Sequence, residues 1–141
     1  MKKITSIQFV NYKAFYGDGE QNLVTIKDGK SVLIYGENGS GKSSIYEGVK
    51  QFFNSADNTQ PDAPARHLKV PATEIINQGQ VDEEVIVNEV AVKVTFDDNG
   101  TSEEKTFGVP TENVRGTRYI SNANLLNSFL SYRELLRTYL M

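Results

Sequence analysis

Residues 4–10 alternate in character, with Ile4, Ser6, Gln8 and Val10 on one side of the chain and Thr5, Ile7 and Phe9 on the other. A period of two in a run rich in β-branched residues predicts a strand. Asn11 to Tyr16 lead into Gly17-Asp18-Gly19, a turn signal, and Asn22 to Ile26 reads as the returning strand of a hairpin. After the turn Lys27-Asp28-Gly29-Lys30, the segment Ser31 to Tyr35 carries four successive apolar residues, Val32, Leu33, Ile34 and Tyr35. Such a run predicts a third strand, buried on both faces. From Lys42 the period changes: Ile45, Val49, Phe52 and Phe53 fall at i, i+4, i+7 and i+8, one stripe on a helix reaching Asn54.

Residues 54–67, NSADNTQPDAPARH, have no period and are rich in Asn, Asp, Ala and Pro, so they read as an exposed, flexible loop with His67 and Arg66 on the surface. The segment 84–109 predicts an antiparallel hairpin, two β-rich runs meeting at Asp97-Asp98-Asn99-Gly100. Thr117 to Ser121 reads as a short strand, and 122–140 as a helix with Leu125, Leu126, Phe129, Leu130, Leu136 and Leu140 on its apolar side. No stop signal follows that helix.

The 141 residues are enough for a single domain with one core. With 38% hydrophobic and 23% charged residues the composition is that of a globular protein, and the absence of cysteine excludes disulfides and thiolate metal sites. Gln8, Asn11 and Lys13 interrupt the N-terminal apolar stretch before it could act as a secretory signal, and no window offers the ~20 apolar residues of a membrane helix. A cytoplasmic protein without membrane contact is expected. The net charge of -3 gives no overall attraction for nucleic acid.

Chemistry concentrates at residues 36–43, GENGSGKS, which fit G-x-x-x-x-G-K-[ST] between a strand-like run and an amphipathic helix. Chance alone would produce the pattern in roughly one chain in a few hundred of this length. In such a phosphate-binding P-loop, Gly36, Gly39 and Gly41 let successive N–H groups turn inward around phosphate oxygens, with the helix dipole behind them. Asn38, Ser40 and Ser44 belong to the same cradle. Lys42 would reach the β and γ phosphates, and the Ser43 hydroxyl would ligate Mg²⁺. ATP and Mg²⁺ are therefore the expected cofactors.

The stretch ITSIQFVNYKAFYG followed by VLIYGENGSGKSSIYEGVKQFF resembles the start of the SMC, RecF and RecN type ATPases. The resemblance rests on the signature Asn11-Tyr12-Lys13-Ala14-Phe15 and a P-loop of the form G-x-N-G-[SA]-G-K-[ST]. It covers nearly the whole chain, but only the first 53 residues with specific motifs. It implies an α/β P-loop NTPase of the ABC-ATPase type: an N-terminal lobe with a mixed sheet and antiparallel hairpins around the P-loop helix. It further implies that Asn11 and Lys13 lie by the nucleotide, Lys13 assisting Lys42. A second head, in a homodimer, would close over ATP, and the full-length protein would act on DNA in repair, chromosome maintenance or defence. Glu47 matches an acidic position of the family, though a solvated helix face explains it as well. The glutamine expected before the last helix is missing, and Asn122 or Asn124 stands at about its place as a metal-site candidate.

Two further parts of such a site are missing from the sequence: the Leu-Ser-Gly-Gly signature, and an apolar Walker B strand ending in Asp-Glu. Val90 to Asp98 is the nearest lookalike, but Lys93 and Thr95 make it read as a half-exposed hairpin strand. No catalytic residue is thus assigned, and the chain reads as the first lobe of a longer ATPase, with little or no turnover alone. A self-contained phosphotransferase resembling a small nucleotide kinase, and a non-catalytic interaction domain, are the alternatives.

Overall fold

A computed structural model describes residues 2–37, 39–59, 62–70 and 88–125. Its elements run β1 (Lys3–Val10), β2 (Leu23–Thr25), α1 (Lys42–Ser55), β3 (Val90–Asp98), β4 (Thr101–Val109) and α2 (Arg118–Leu125), with short 3-10 turns at Glu20–Asn22 and Lys27–Gly29. The four strands form one sheet in the order β2-β1-β3-β4. Every pairing among them is antiparallel, whereas the resemblance implied a mixed sheet.

Alternation decides which face of the sheet is dry. Ile7 and Phe9 of β1, Val92, Val94 and Phe96 of β3 and Phe107 of β4 join one buried cluster with Phe52 and Phe53 of α1 and Ile120 of α2. Gln8, Lys93 and Thr95, paired in register beside them, point away from it and are half-buried. This is the pattern of a sheet with one covered face. β3 and β4 are joined at Asn99 and Gly100, both in left-handed backbone (φ 52 and 92), which matches the twist of the flanking strands in a two-residue hairpin. The expected hairpin is thus described from Val90 to Val109. β3 is more buried than its sequence suggested, because it pairs on both sides, with β1 and with β4.

Gly48 sets how closely α1 approaches β1. A Cβ there would lie 2.6 Å from Phe9 Cε1 and 3.1 Å from Tyr12 Cε1. Any larger residue would push the helix off the sheet. Gly108 plays a similar part in β4, where a Cβ would run into the Val90 carbonyl across the strand pair.

Three segments differ from expectation. Ser31 to Tyr35 form no strand. Leu33 and Tyr35 are 86% and 87% exposed, and Val32 and Ile34 keep 48% and 42%, so the expected burial on both faces is absent. An apolar run signals burial only where another strand lies against it, and none of the described strands does. Arg118 to Ser121 are helical rather than extended, starting with Ile120 N–H and Ser121 N–H donating to the Thr117 carbonyl at 3.2 and 3.0 Å. The helix seats Ile120 fully in the core and sets Tyr119 edge-on to Phe96 at 5.2 Å, so packing overrides β propensity. The described part of this helix ends at Leu125, and the expected course to residue 140 lies outside the described residues.

The third difference is in the loop after α1. Residues 65–67 are pinned: Lys13 N–H donates to the Ala65 carbonyl at 2.9 Å, His67 N–H to the Asn11 carbonyl at 2.7 Å, and Tyr12 and Arg66 form an isolated bridge. A stretch without period can still be ordered when a neighbouring turn offers unpaired backbone groups.

Candidate functional site

The glycine-rich loop leads directly into α1. Gly39 (φ 86) and Gly41 (φ 98) both hold the left-handed backbone that favours glycine. The Ser40 N–H donates to the Glu37 carbonyl at 3.2 Å, and a Cβ on Gly36 would lie 2.7 Å from Ser40 Oγ, so Ser40 curls back on Gly36 and Glu37. Lys42 arches back over this curl and its ammonium donates to the Gly36 carbonyl. The first bond inside α1 runs from Ile45 N–H to the Gly41 carbonyl at 3.0 Å. The N–H groups of Lys42, Ser43 and Ser44 therefore have no acceptor within the helix and lie at its positive end. Ser43 is exposed and Ser44 buried. Open space around Gly39, where an added Cβ would meet nothing within 4 Å, completes a cradle of N–H donors and one ammonium. That donor set fits an anion such as a phosphate chain. Asn38 lies outside the described residues.

The loop rests on the turn after β1. A Cβ on Gly41 would lie 3.1 Å from Phe15 Cζ and 3.7 Å from Ala14 Cβ, so this turn and the loop touch at Gly41. Phe15 in turn stacks on Phe9 with ring centroids 4.8 Å apart. Neither Ala14 nor Phe15 was singled out from the sequence for a part in the site beyond its place in the signature.

Asn11 (φ 48) and Lys13 (φ 45) sit on either side of Tyr12 in left-handed backbone, rare for residues with side chains. Asn11 holds the turn: its amide nitrogen donates to the Glu89 carbonyl at 2.9 Å, and its amide oxygen accepts from Gly17 N–H at 2.8 Å. Both ends of the side chain are engaged in the fold. Tyr12 is fully buried, donates to Gln51 Oε1 at 2.5 Å, and burial pushes its hydroxyl pKa up to about 12. Lys13 forms an ion pair with Glu47, which stands one helical turn after Ser43.

Asn124 is elsewhere. Its amide donates to Asp57 Oδ2 at 3.3 Å, and Ser121 donates to the other oxygen of the same carboxylate. Asp57 follows the C-terminal end of α1, about 20 Å along a helix of this length from Ser43. Asn122 is exposed on the same short helix. The structure thus gathers Gly36, Gly39, Ser40, Gly41, Lys42, Ser43, Ser44 and Lys13 at one end of α1 and leaves both asparagines of α2 at the other. No group of acidic and histidine side chains among the described residues could hold a metal unaided. Nor is any described helix long and apolar enough to cross a membrane.

The AAA domain family matches residues 6–139, nearly the full length. The chain belongs to that family. Membership in the AAA domain family makes this a nucleotide-binding protein of the ATPase class, with Mg²⁺ the usual companion of the nucleotide. No curated protein and no solved structure matches the chain.

Gly48 escaped sequence reasoning, although a glycine inside an amphipathic helical stripe is itself a signal of close backbone approach. The pinning of residues 65–67 left no such signal, because backbone partners carry no side-chain pattern.

Proposed function

We propose that this AAA-family chain binds Mg-ATP at residues 36–44 as the N-terminal half of an SMC- or RecF-like ATPase head. The observation that carries the reading is the curl of Ser40 back on Gly36 and Glu37, with Lys42 folded over it at the positive end of α1. Backbone N–H groups and Lys42 would hold the phosphates. Ser43 would hold the Mg²⁺, whose charge offsets that of the phosphate oxygens.

The half-head reading is supported by an apolar strip beside the loop. Ile34, Lys42, Ile45, Tyr46 and Val49 line an open cavity of about 280 Å³. The Tyr46 hydroxyl is itself buried with no hydrogen-bond partner among the described residues. A finished domain rarely leaves four successive apolar residues uncovered next to such a cavity. In this reading a second lobe supplies strands against 32–35 together with the acidic residue that positions water, and two heads engage around ATP while the whole protein works on DNA.

Thermal unfolding with and without Mg-ATP tests the binding step. A ligand that binds only the folded chain raises its stability by about 2.7 kcal/mol at a hundred times its Kd. Lys42→Ala should abolish that rise while leaving the ligand-free melting point within about 1 °C, because the side chain lies outside the core. An unchanged melting point for the unsubstituted chain at millimolar Mg-ATP would favour a non-catalytic interaction domain.

A further inference from the structure

The contact between Lys13 and Glu47 adds an ion pair to a junction where Tyr12 already reaches Gln51 and Gly48, and Ala14 and Phe15 reach Gly41. Lys13 belongs to the turn whose next two residues, Ala14 and Phe15, touch Gly41. Its backbone is fixed in the left-handed region by the bond to the Ala65 carbonyl. Backbone held in a sparsely populated conformation at a candidate site is a reason to ask what the side chain is being aimed at. Glu47 lies four residues after Ser43, on the same face of α1. The pair is partly exposed, with 32% of the Lys13 side chain and 45% of the Glu47 side chain accessible, so neither partner is locked away.

We propose that Glu47 is a latch on Lys13: it holds the ammonium beside the loop when the site is empty and gives it up to the phosphates when a nucleotide arrives. The inference rests on the reading of residues 36–44 as a nucleotide site. Two anions then compete for one cation. The carboxylate wins without nucleotide because it is the anion within reach, and a polyphosphate wins on charge. Glu47 is a positioning residue, acting through Lys13 and touching no ligand itself. Its second effect is to cancel one positive charge beside the loop, so that small anions such as inorganic phosphate or sulfate, which offer fewer oxygens than a triphosphate, are drawn less strongly into the cradle.

The experiment is a double-substitution cycle on the whole 141-residue chain, reading the Kd of Mg-ATP by titration calorimetry at fixed ionic strength. Glu47→Gln should tighten Mg-ATP about two- to fivefold, the range set by a partly exposed ion pair. Lys13→Met should weaken it about tenfold, as loss of a charge-assisted contact would. In the Lys13→Met background, Glu47→Gln should change nothing. Lys13→Arg serves as the conservative variant and should retain both affinity and the response to Glu47→Gln. Equal tightening by Glu47→Gln with and without Lys13 overturns the latch, since the carboxylate would then act on the phosphates directly. An unchanged Kd in Glu47→Gln overturns it as well and leaves an ordinary surface pair. Failure of the unsubstituted chain to take up Mg-ATP overturns the nucleotide-site reading itself, and the latch with it.

Discussion

The two long sides of α1 make different bargains with their surroundings. Toward the sheet the helix buries Phe52 and Phe53 and lets Gly48 take Phe9 and Tyr12 at van der Waals range. Toward residues 32–35 it presents Tyr46, with the outer edges of Ile45 and Val49 that also pack on the core, to an open cavity, with Leu33 and Tyr35 almost wholly in solvent beyond. One helix therefore serves as both the floor of a closed core and the wall of an open cavity. The glycine-rich loop hangs between them, its far end at Gly41 braced by Phe15 and its near end continuing the uncovered strip. The covered side holds the chain together, and the uncovered side is the one that the proposed half-head reading would complete.

The comparison breaks most sharply at Phe52. Its ring is fully buried among Phe53, Phe96 and the sheet, so Phe52→Ala should cost about 3 to 5 kcal/mol in denaturant unfolding. Gly48→Ala gains about 1 kcal/mol in helix propensity. It must also move Phe9 from a Cβ only 2.6 Å away. Overpacking should win, leaving a net loss of about 1 to 2 kcal/mol. Leu33→Ser, on the other side, should alter stability by less than about 0.5 kcal/mol. A loss above 1 kcal/mol there would mean that the strip is covered in solution, and the contrast between the two sides would fail.

The smallest effect lies away from the helix. Glu103 accepts from Lys105, Lys2 and Tyr119, and these bonds pull its carboxyl from 4.5 down to about 2. A depressed carboxyl stabilises the fold fully above its unfolded pKa of about 4.5 and loses that contribution as pH falls through about 2. The side chain is 39% exposed, so solvent screening keeps the effect in the range of a surface pair, below about 1 kcal/mol. Glu103→Gln should flatten the acid limb of the unfolding curve between those two values, lowering neutral stability by that same contribution, below about 1 kcal/mol, and leaving stability below about pH 2 unchanged. A mutant curve parallel to that of the unsubstituted chain would remove the assignment.

Where periodicity met a complete environment, the sequence was readable. The alternation of Ile7 and Phe9, the stripe Ile45, Val49, Phe52, Phe53 and the turn at Asn99-Gly100 all correspond to what is observed, because local pattern and tertiary packing ask for the same conformation. The run Val32 to Tyr35 misled for a physical reason: hydropathy reports what a segment would bury, and burial needs a partner. Tyr119 and Ile120 misled in the opposite way, β-prone residues drawn into a helix by the pocket waiting for them. At the candidate site, Gly39, Gly41 and Lys42 were identified by spacing alone. The bracing of Gly41 by Phe15 and the pairing of Lys13 with Glu47 were not, since both join residues at least 26 positions apart.

The uncovered strip has a practical consequence. Ser31 to Gly36 is a six-residue window with no charge and no proline, rich in β-formers and accessible at the surface. Segments of that kind recruit copies of themselves. The isolated chain should accordingly grow stickier as it is concentrated, and dimers collected under such conditions would report adhesion between identical strips. The exposed apolar strip is thus a solubility hazard, and dilution is the condition under which the chain's own properties are best seen.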